Sequence, residues 1–63
     1  MLPKDTFMLL SMINMKLRDQ YSSIDELCED MDEDKTVINE KLNSAGFVYD
    51  QEVNQYRNDI LLL

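Results

Sequence analysis

The amino-acid sequence predicts a mainly α-helical fold, a three-helix helix–turn–helix domain followed by a small C-terminal β-hairpin. Two observations predict it. Apolar residues recur at helical spacing up to residue 45, and capping residues stand between the helical segments. Gly46 then separates this pattern from a stretch rich in β-formers. A chain of 63 residues has room for one domain, which we expect to span residues 1–57, with a tail of residues 58–63.

The first helix is expected from Lys4 to Gln20, because Pro3 suits a first helical turn and good or neutral helix formers follow it. Its apolar side chains fall into two stripes when residues are placed about 100° apart. The first stripe, which we assign to the core, consists of Phe7, Leu10, Ile13, Leu17 and Tyr21. The second stripe consists of Met8, Met12 and Met15. The hairpin or residues 60–63 could cover the methionines as core, or a partner could bind them.

The second helix is predicted from Ile24 to Met31. Ser23 and Glu26 match a capping box, in which the serine oxygen accepts a backbone N–H and the glutamate side chain reaches back to the serine. One apolar face then follows, consisting of Ile24, Leu27, Cys28 and Met31. The position of Cys28 on this face predicts a small core residue rather than a reactive thiol.

The third helix is predicted from Lys35 to Ala45, with Asp34 as its N-cap. Gly46 suits a left-handed C-cap, after which Phe47 would fold back on the helix. The residues predicted to face the core are Val37, Ile38, Leu42 and Ala45.

The acidic stretch CEDMDEDKT joins the second and third helices, and it resembles a calcium loop at first sight. Counted from Asp30, acids occupy the first, third and fifth loop positions. Such a loop needs glycine at the sixth position and glutamate at the twelfth, where this chain has Lys35 and Lys41. We therefore expect no specific metal site and interpret the stretch as a turn, in which Asp32 and Glu33 reverse the chain.

The stretch FVYDQEVNQYR predicts the hairpin. Residues 47–49 favour a first strand, and Val53 and Tyr56 favour a second. Asp50 and Asn54 suit the bend between them.

The composition excludes most enzyme chemistries. The chain has 13 acids against 6 bases, a net charge of −7, one cysteine and no histidine. It therefore lacks the parts of an internal disulfide, a structural zinc site or a nucleophile–base pair. No signal peptide is evident, and the N-terminal apolar stretch of about a dozen residues is shorter than the about 20 that span a bilayer. We expect a non-enzymatic cytoplasmic protein that needs no cofactor and does not bind membranes.

Several segments closely resemble a family of small bacterial proteins catalogued as a domain of unknown function, number 4250. These segments are MLPKD, MLLS, NMKLRDQYSS, DELCED, EKL and YDQEVNQYR, and the resemblance covers about residues 1–57. It implies no activity, substrate or catalytic residue. The order of elements is also similar to that of a winged helix–turn–helix domain. Asp32 and Glu33 differ from the glycine and the apolar residue that such turns usually have.

Two functions from different classes remain. Methionine stripes form adaptable apolar surfaces, so we expect Met8, Met12 and Met15 to bind a protein partner or to form a homodimer. The alternative, by analogy with winged helices, is DNA binding by the third helix and the hairpin. The acidic charge opposes phosphate contacts, so we expect no specific nucleic-acid affinity. The side chains that would contact DNA are Lys35, Thr36, Asn39, Asn43 and Arg57.

Overall fold

The computed structural model describes residues 2–58, and within them the chain forms three helices and one antiparallel β-hairpin. The elements in chain order are α1 (Thr6–Asp19), α2 (Ile24–Met31), α3 (Lys35–Ser44), β1 (Phe47–Asp50) and β2 (Gln55–Asn58). The predicted fold class is therefore confirmed. Asn58, the first residue of the predicted tail, is the last residue of β2, and the rest of that tail lies outside the described residues.

The start of α1 is set by an aspartate. The carboxylate of Asp5 accepts the backbone N–H groups of Phe7 at 2.8 Å and Met8 at 3.2 Å. These donors have no partner inside the helix, which is why an aspartate stabilises this position. The helix therefore begins at Thr6, two residues after the predicted start at Lys4, and it ends one residue earlier than predicted.

The N-cap of α2 matches half of the predicted capping box. The Ser23 hydroxyl accepts the backbone N–H of Glu26 at 3.1 Å, as expected. The predicted reciprocal contact, from the Glu26 side chain back to the backbone of Ser23, is wrong. The carboxylate of Glu26 instead accepts a hydrogen bond from the hydroxyl of Ser22 at 2.8 Å. The boundaries of α2 agree with the prediction.

The acidic stretch is a turn, as predicted. Asp32 ends α2 in the left-handed conformation, with φ of 55°, which aspartate tolerates better than most residues. The backbone N–H of Glu33 donates to the carbonyl of Cys28 at 2.9 Å, which closes the end of the helix. Asp34 then caps α3 by accepting the backbone N–H of Thr36 at 2.8 Å. Two of the acids therefore have a local structural role.

The core lies between the three helices and one side of the hairpin. Phe7 was predicted to belong to it, but its side chain is 65% exposed, whereas Leu9 is fully buried. The reason is the direction of α1, which turns Leu9, Ile13 and Leu17, spaced four residues apart, toward the other helices. Phe7 instead meets Phe47 edge-on, with 6.1 Å between ring centroids. The buried residues are Leu9, Ile13, Leu17, Ile24, Leu27, Cys28, Ile38, Leu42 and Tyr56.

The third helix contributes fewer core residues than predicted. Ile38 and Leu42 are buried, but Val37 is 40% exposed because it lies about 100° from Ile38 around the helix. Ala45 is exposed because the helix ends at Ser44 and Ala45 is its C-cap. Gly46 has φ of +90°, so the predicted left-handed position is confirmed.

The hairpin pairs Tyr49 with Tyr56 across its centre, with 5.3 Å between the two ring centroids. Residues 51–54 form the loop, so the assignment of Val53 to the second strand is wrong, and its side chain is 51% exposed. The strand begins later because Asn54 adopts a positive φ of 54° to close the loop.

Candidate interaction surface on the first helix

The hairpin is attached to α1 by a side-chain amide. Asn14 donates from Nδ2 to the carbonyl of Tyr56 at 3.1 Å, and its Oδ1 accepts the backbone N–H of Tyr56 at 2.7 Å. One amide thus satisfies both backbone groups of a β2 residue, as a neighbouring strand would. Both contacts fix the position of β2 along α1.

Two further amides extend this contact. Asn54 donates from Nδ2 to the carbonyls of Leu17 at 3.0 Å and Tyr21 at 2.9 Å, which lie at the end of α1 and just beyond it. Gln55 donates from Nε2 to the carbonyl of Asn14 at 2.9 Å. Carbonyls at the end of a helix lack helical partners, so Asn54 both satisfies them and attaches the loop. We call Asn14, Asn54 and Gln55 the amide seam.

Because the amide seam holds the hairpin on one side of α1, the hairpin does not cover the methionines. Met15 follows Asn14 in sequence and therefore points about 100° away from it around the helix. Met8 is 62% exposed and Met15 is 52% exposed. Residues 60–63, the other predicted cover, lie outside the described residues.

The predicted methionine stripe is divided between the core and the surface. Met12 is half-buried and packs against the core cluster, so it borders the stripe rather than forming its centre. Ser11 is exposed and lies between Met8 and Met15 on the side of α1 that points away from the core. We call Met8, Ser11 and Met15 the outer face of α1.

The charges around the outer face differ from those of the rest of the domain. Residues 4–19 contain three bases and two acids, whereas residues 25–34 contain seven acids and no base. Arg18 Nε lies 3.0 Å from Asp19 Oδ1, and this hydrogen bond lowers the pKa of the Asp19 carboxyl. Lys4 is exposed before the start of the helix. The outer face therefore combines exposed apolar side chains with nearly balanced charge.

The acidic surface lies on α2 and on the turn that follows. Tyr21 donates its hydroxyl to Asp30, and this hydrogen bond raises the pKa of the tyrosine. Glu26, Glu29 and Asp30 line an open depression of about 390 Å³. Within residues 2–58, no group of three or more acidic, cysteine or histidine side chains is arranged to hold a metal ion.

Cys28 is buried on the apolar face of α2, as predicted. Burial raises the pKa of its thiol, and the negative charge of Asp25 raises it further. Because the thiolate is the nucleophilic form of cysteine, this position favours an unreactive core residue.

The predicted DNA-contacting side chains are distributed between structural contacts and solvent. Lys35 Nζ lies 2.6 Å from a carboxylate oxygen of Asp25, and Arg57 Nη1 lies 2.9 Å from one of Asp50. The hydroxyl of Tyr56 donates to Asn39 Oδ1. The other two predicted DNA-contacting residues, Thr36 and Asn43, are exposed to solvent. Three of the five side chains thus already bind neighbours within the domain.

The sequence predicts that Asn54 lies in a bend. It predicts no contact with another element for Asn14, Asn54 or Gln55. Asparagine and glutamine are common on surfaces and in turns, so their spacing carries no signal of a contact between α1 and the hairpin. The one usable sign is that Asn14 interrupts the apolar pattern of a helix between Ile13 and Met15.

Comparisons with known proteins identify a sequence family. A family model described as a domain of unknown function (DUF4250) matches residues 3–56. No curated protein and no solved structure matches the chain. Among residues 2–58, no helix has both the length and the apolar character needed to cross a membrane.

Proposed function

Because the chain belongs to the DUF4250 family, whose description assigns no activity, we propose its function from the structure. The protein is a small, non-enzymatic interaction module that binds a protein partner, or a second copy of itself, through the outer face of α1. The observation that carries this proposal is the exposure of Met8 and Met15 on the side of α1 that neither the core nor the hairpin covers.

The chemistry of the outer face suits protein binding. Methionine side chains are flexible and polarisable, so they adapt to the shape of a partner. Burial of each large apolar side chain is worth up to about 1.5–3 kcal/mol by area, and this figure is an upper bound. Phe7, 65% exposed at the start of the same helix, extends the apolar surface at one edge.

The rest of the domain offers less support for catalysis or DNA binding. The chain has no histidine, and its one cysteine is buried with a raised pKa. The positive charges of Lys35 and Arg57 are already paired with carboxylates. Phosphate contacts supply much of the affinity for DNA, so an acidic domain in which these two bases are paired favours a protein partner.

Substitution of the exposed methionines tests the proposal. Met8→Lys/Met15→Lys should abolish association while leaving helicity by circular dichroism unchanged, because neither side chain belongs to the buried core. Val53→Lys is a matched control, since Val53 is 51% exposed in the hairpin loop and lies outside the outer face. Sedimentation equilibrium of the purified protein measures self-association. Chemical cross-linking in cell extract measures association with another protein.

Two outcomes would contradict the proposal. In the first, the wild-type protein stays monomeric at high micromolar concentration, and every protein that it cross-links to in cell extract also cross-links to Met8→Lys/Met15→Lys. The other is an equal loss of association in Val53→Lys, which would locate the binding surface elsewhere on the domain.

A further inference from the structure

We propose that the outer face binds a second copy of the chain, with the two α1 helices packed antiparallel about a two-fold axis. This inference rests on the proposed function and names its partner. The axis passes between Ser11 and Met12, near the middle of the helix Thr6–Asp19. In a two-fold dimer the same surface serves both subunits, so that surface must be complementary to itself.

The apolar part of the outer face meets this requirement. In the antiparallel arrangement, Met8 of one subunit faces Met15 of the partner subunit, and the symmetry repeats the contact on the other side of the axis. Both methionines are more than half exposed in the single chain and would become buried. Ser11, a small side chain close to the axis, allows the two helices to approach each other.

The spacing along α1 is that of a helix-packing seam. Met8, Ser11, Met15 and Arg18 follow one another along the helix at intervals of three, four and three residues, and Lys4 lies just before the helix begins. This alternation keeps side chains on one side of a helix that crosses its neighbour at about 20°. Exposed residues at these positions form a continuous line along the helix.

The charges at the two ends select the antiparallel direction. When Met8 faces Met15, the start of each α1 lies beside the end of α1 in the partner subunit, which brings Lys4, just before the helix, near Asp19 of the partner subunit. The dimer then has one such pair at each end. Within each chain Asp19 also accepts a hydrogen bond from Arg18. A parallel dimer in register would instead place Lys4 beside Lys4 and Asp19 beside Asp19, where like charges repel. The helix dipoles also favour the antiparallel arrangement.

The size of the surface predicts a weak dimer. Stable interfaces bury at least about 600 Å² per partner, which is about one-seventh of the 4383 Å² of this chain. A helix of 14 residues is only about 21 Å long, so an interface made of one such helix per subunit is small. The net charge of −7 per chain adds repulsion, although the seven acids of residues 25–34 lie on other elements. We expect dissociation at roughly micromolar concentration.

Disulfide trapping tests the register. In a Cys28→Ala background, Met8→Cys and Met15→Cys variants should each remain uncross-linked alone in a glutathione buffer. Mixed together, they should form a cross-linked dimer that contains one of each, with at least about ten times the yield of either alone. The control is Val53→Cys, which should not cross-link with either variant. Cross-linking of Met8→Cys with itself would overturn the antiparallel register.

Charge reversal tests the end contacts by sedimentation. Lys4→Glu should weaken the dimer by roughly three- to tenfold at low salt, and Lys4→Glu/Asp19→Lys should restore it, because reversal of both charges recreates the pair. Lys41→Glu makes the same change in net charge on α3, outside the outer face, and should leave the dimer within about twofold. A double variant as weak as Lys4→Glu would overturn the proposed register.

The results separate this inference from the proposed function. If wild type does not self-associate but cross-links in cell extract to a protein that Met8→Lys/Met15→Lys does not bind, the partner is another protein. The inference is then wrong and the proposed function stands. If wild type dimerises and Met8→Lys/Met15→Lys dimerises equally well, both the inference and the proposed function are wrong.

Discussion

The first helix is held in the domain by two regions that use different physical chemistry. Toward α2 and α3 it presents Leu9, Ile13 and Leu17, which are nearly or fully buried among aliphatic side chains. Toward the hairpin it is held by the amide seam, whose hydrogen bonds to backbone groups are 2.7–3.1 Å long. Apolar burial does not depend on direction, whereas each hydrogen bond specifies a position.

The difference explains why one face of the domain stays open. Apolar packing alone would let the hairpin slide along α1, or rotate toward the methionines, at a modest cost. Asn14 binds both backbone groups of Tyr56, so a slide of one residue would break both hydrogen bonds. Leu9, Ile13 and Leu17, which we call the aliphatic region, therefore supply most of the burial of α1. The amide seam determines where the hairpin lies. Met8 and Met15 remain exposed as a result.

The largest expected effect comes from the aliphatic region. Ile13→Ala removes a fully buried side chain and leaves a cavity, which costs about 2–5 kcal/mol. A domain of this size has about 3–5 kcal/mol of net stability from its core, so the variant should be largely unfolded at 25 °C. Chemical denaturation followed by circular dichroism measures the change. A variant that keeps most of the wild-type stability would show that the amide seam holds α1 without the aliphatic region.

The second effect isolates the amide seam. Asn14→Leu leaves the N–H and C=O of Tyr56 without these partners, and each unsatisfied buried group costs about 1–3 kcal/mol. We expect faster amide hydrogen exchange in β2 than in α2, because the hairpin loosens before the helices do. Asn43→Leu, the same substitution at an exposed asparagine of α3, should leave the exchange of both elements unchanged. Uniformly faster exchange in all elements would contradict the division into two regions.

The same comparison explains how much of the molecule the sequence predicts. The three helices, the N-caps Ser23 and Asp34, the turn at Asp32 and the left-handed Gly46 follow from local patterns within a few residues, and they agree with the structure. The contact of Asn14 with Tyr56 joins residues 42 positions apart, and no local pattern contains it.

The error at Phe7 has the same long-range origin. Phe7 and Leu9 are both apolar residues of one helix, and the choice between them depends on the direction in which the other helices pack. The exposure of Met8 and Met15 follows from the position of the hairpin. The sequence alone therefore leaves both a core position and a surface position open for these two side chains.

A third effect concerns Gly46, which joins the helical part to the hairpin. Its φ of +90° is unfavourable for other residues, although the space beside it is open, with no atom within 4 Å of an added Cβ. Gly46→Val should therefore destabilise the domain by roughly 1–2 kcal/mol through backbone strain alone. Gly46→Asn is the matched control and should cost less, because asparagine tolerates left-handed backbone. A wild-type melting curve for Gly46→Val would mean that the residue is not left-handed in solution.

The smallest effect concerns Tyr56, whose ring is buried in the aliphatic core and whose backbone belongs to the hairpin contact with Asn14. Tyr56→Phe removes the hydrogen bond to Asn39 and should cost about 1 kcal/mol at pH 7, read from guanidinium midpoints.

The pH dependence of this loss tests whether the ring is buried. Burial raises the pKa of Tyr56 above its unfolded value of about 10, so the folded protein favours the neutral phenol. The stability from this shift is complete below pH 10 and is lost as pH rises toward the folded pKa. Tyr21 and Lys35 also have raised pKa values, from hydrogen bonds to Asp30 and Asp25, so the variant should keep part of the decline. The stability difference between wild type and Tyr56→Phe should therefore shrink from pH 9 to pH 11. A constant difference over that range would mean that the Tyr56 ring is open to solvent, and the hairpin would then contact α1 through the amide seam without reaching the aliphatic core.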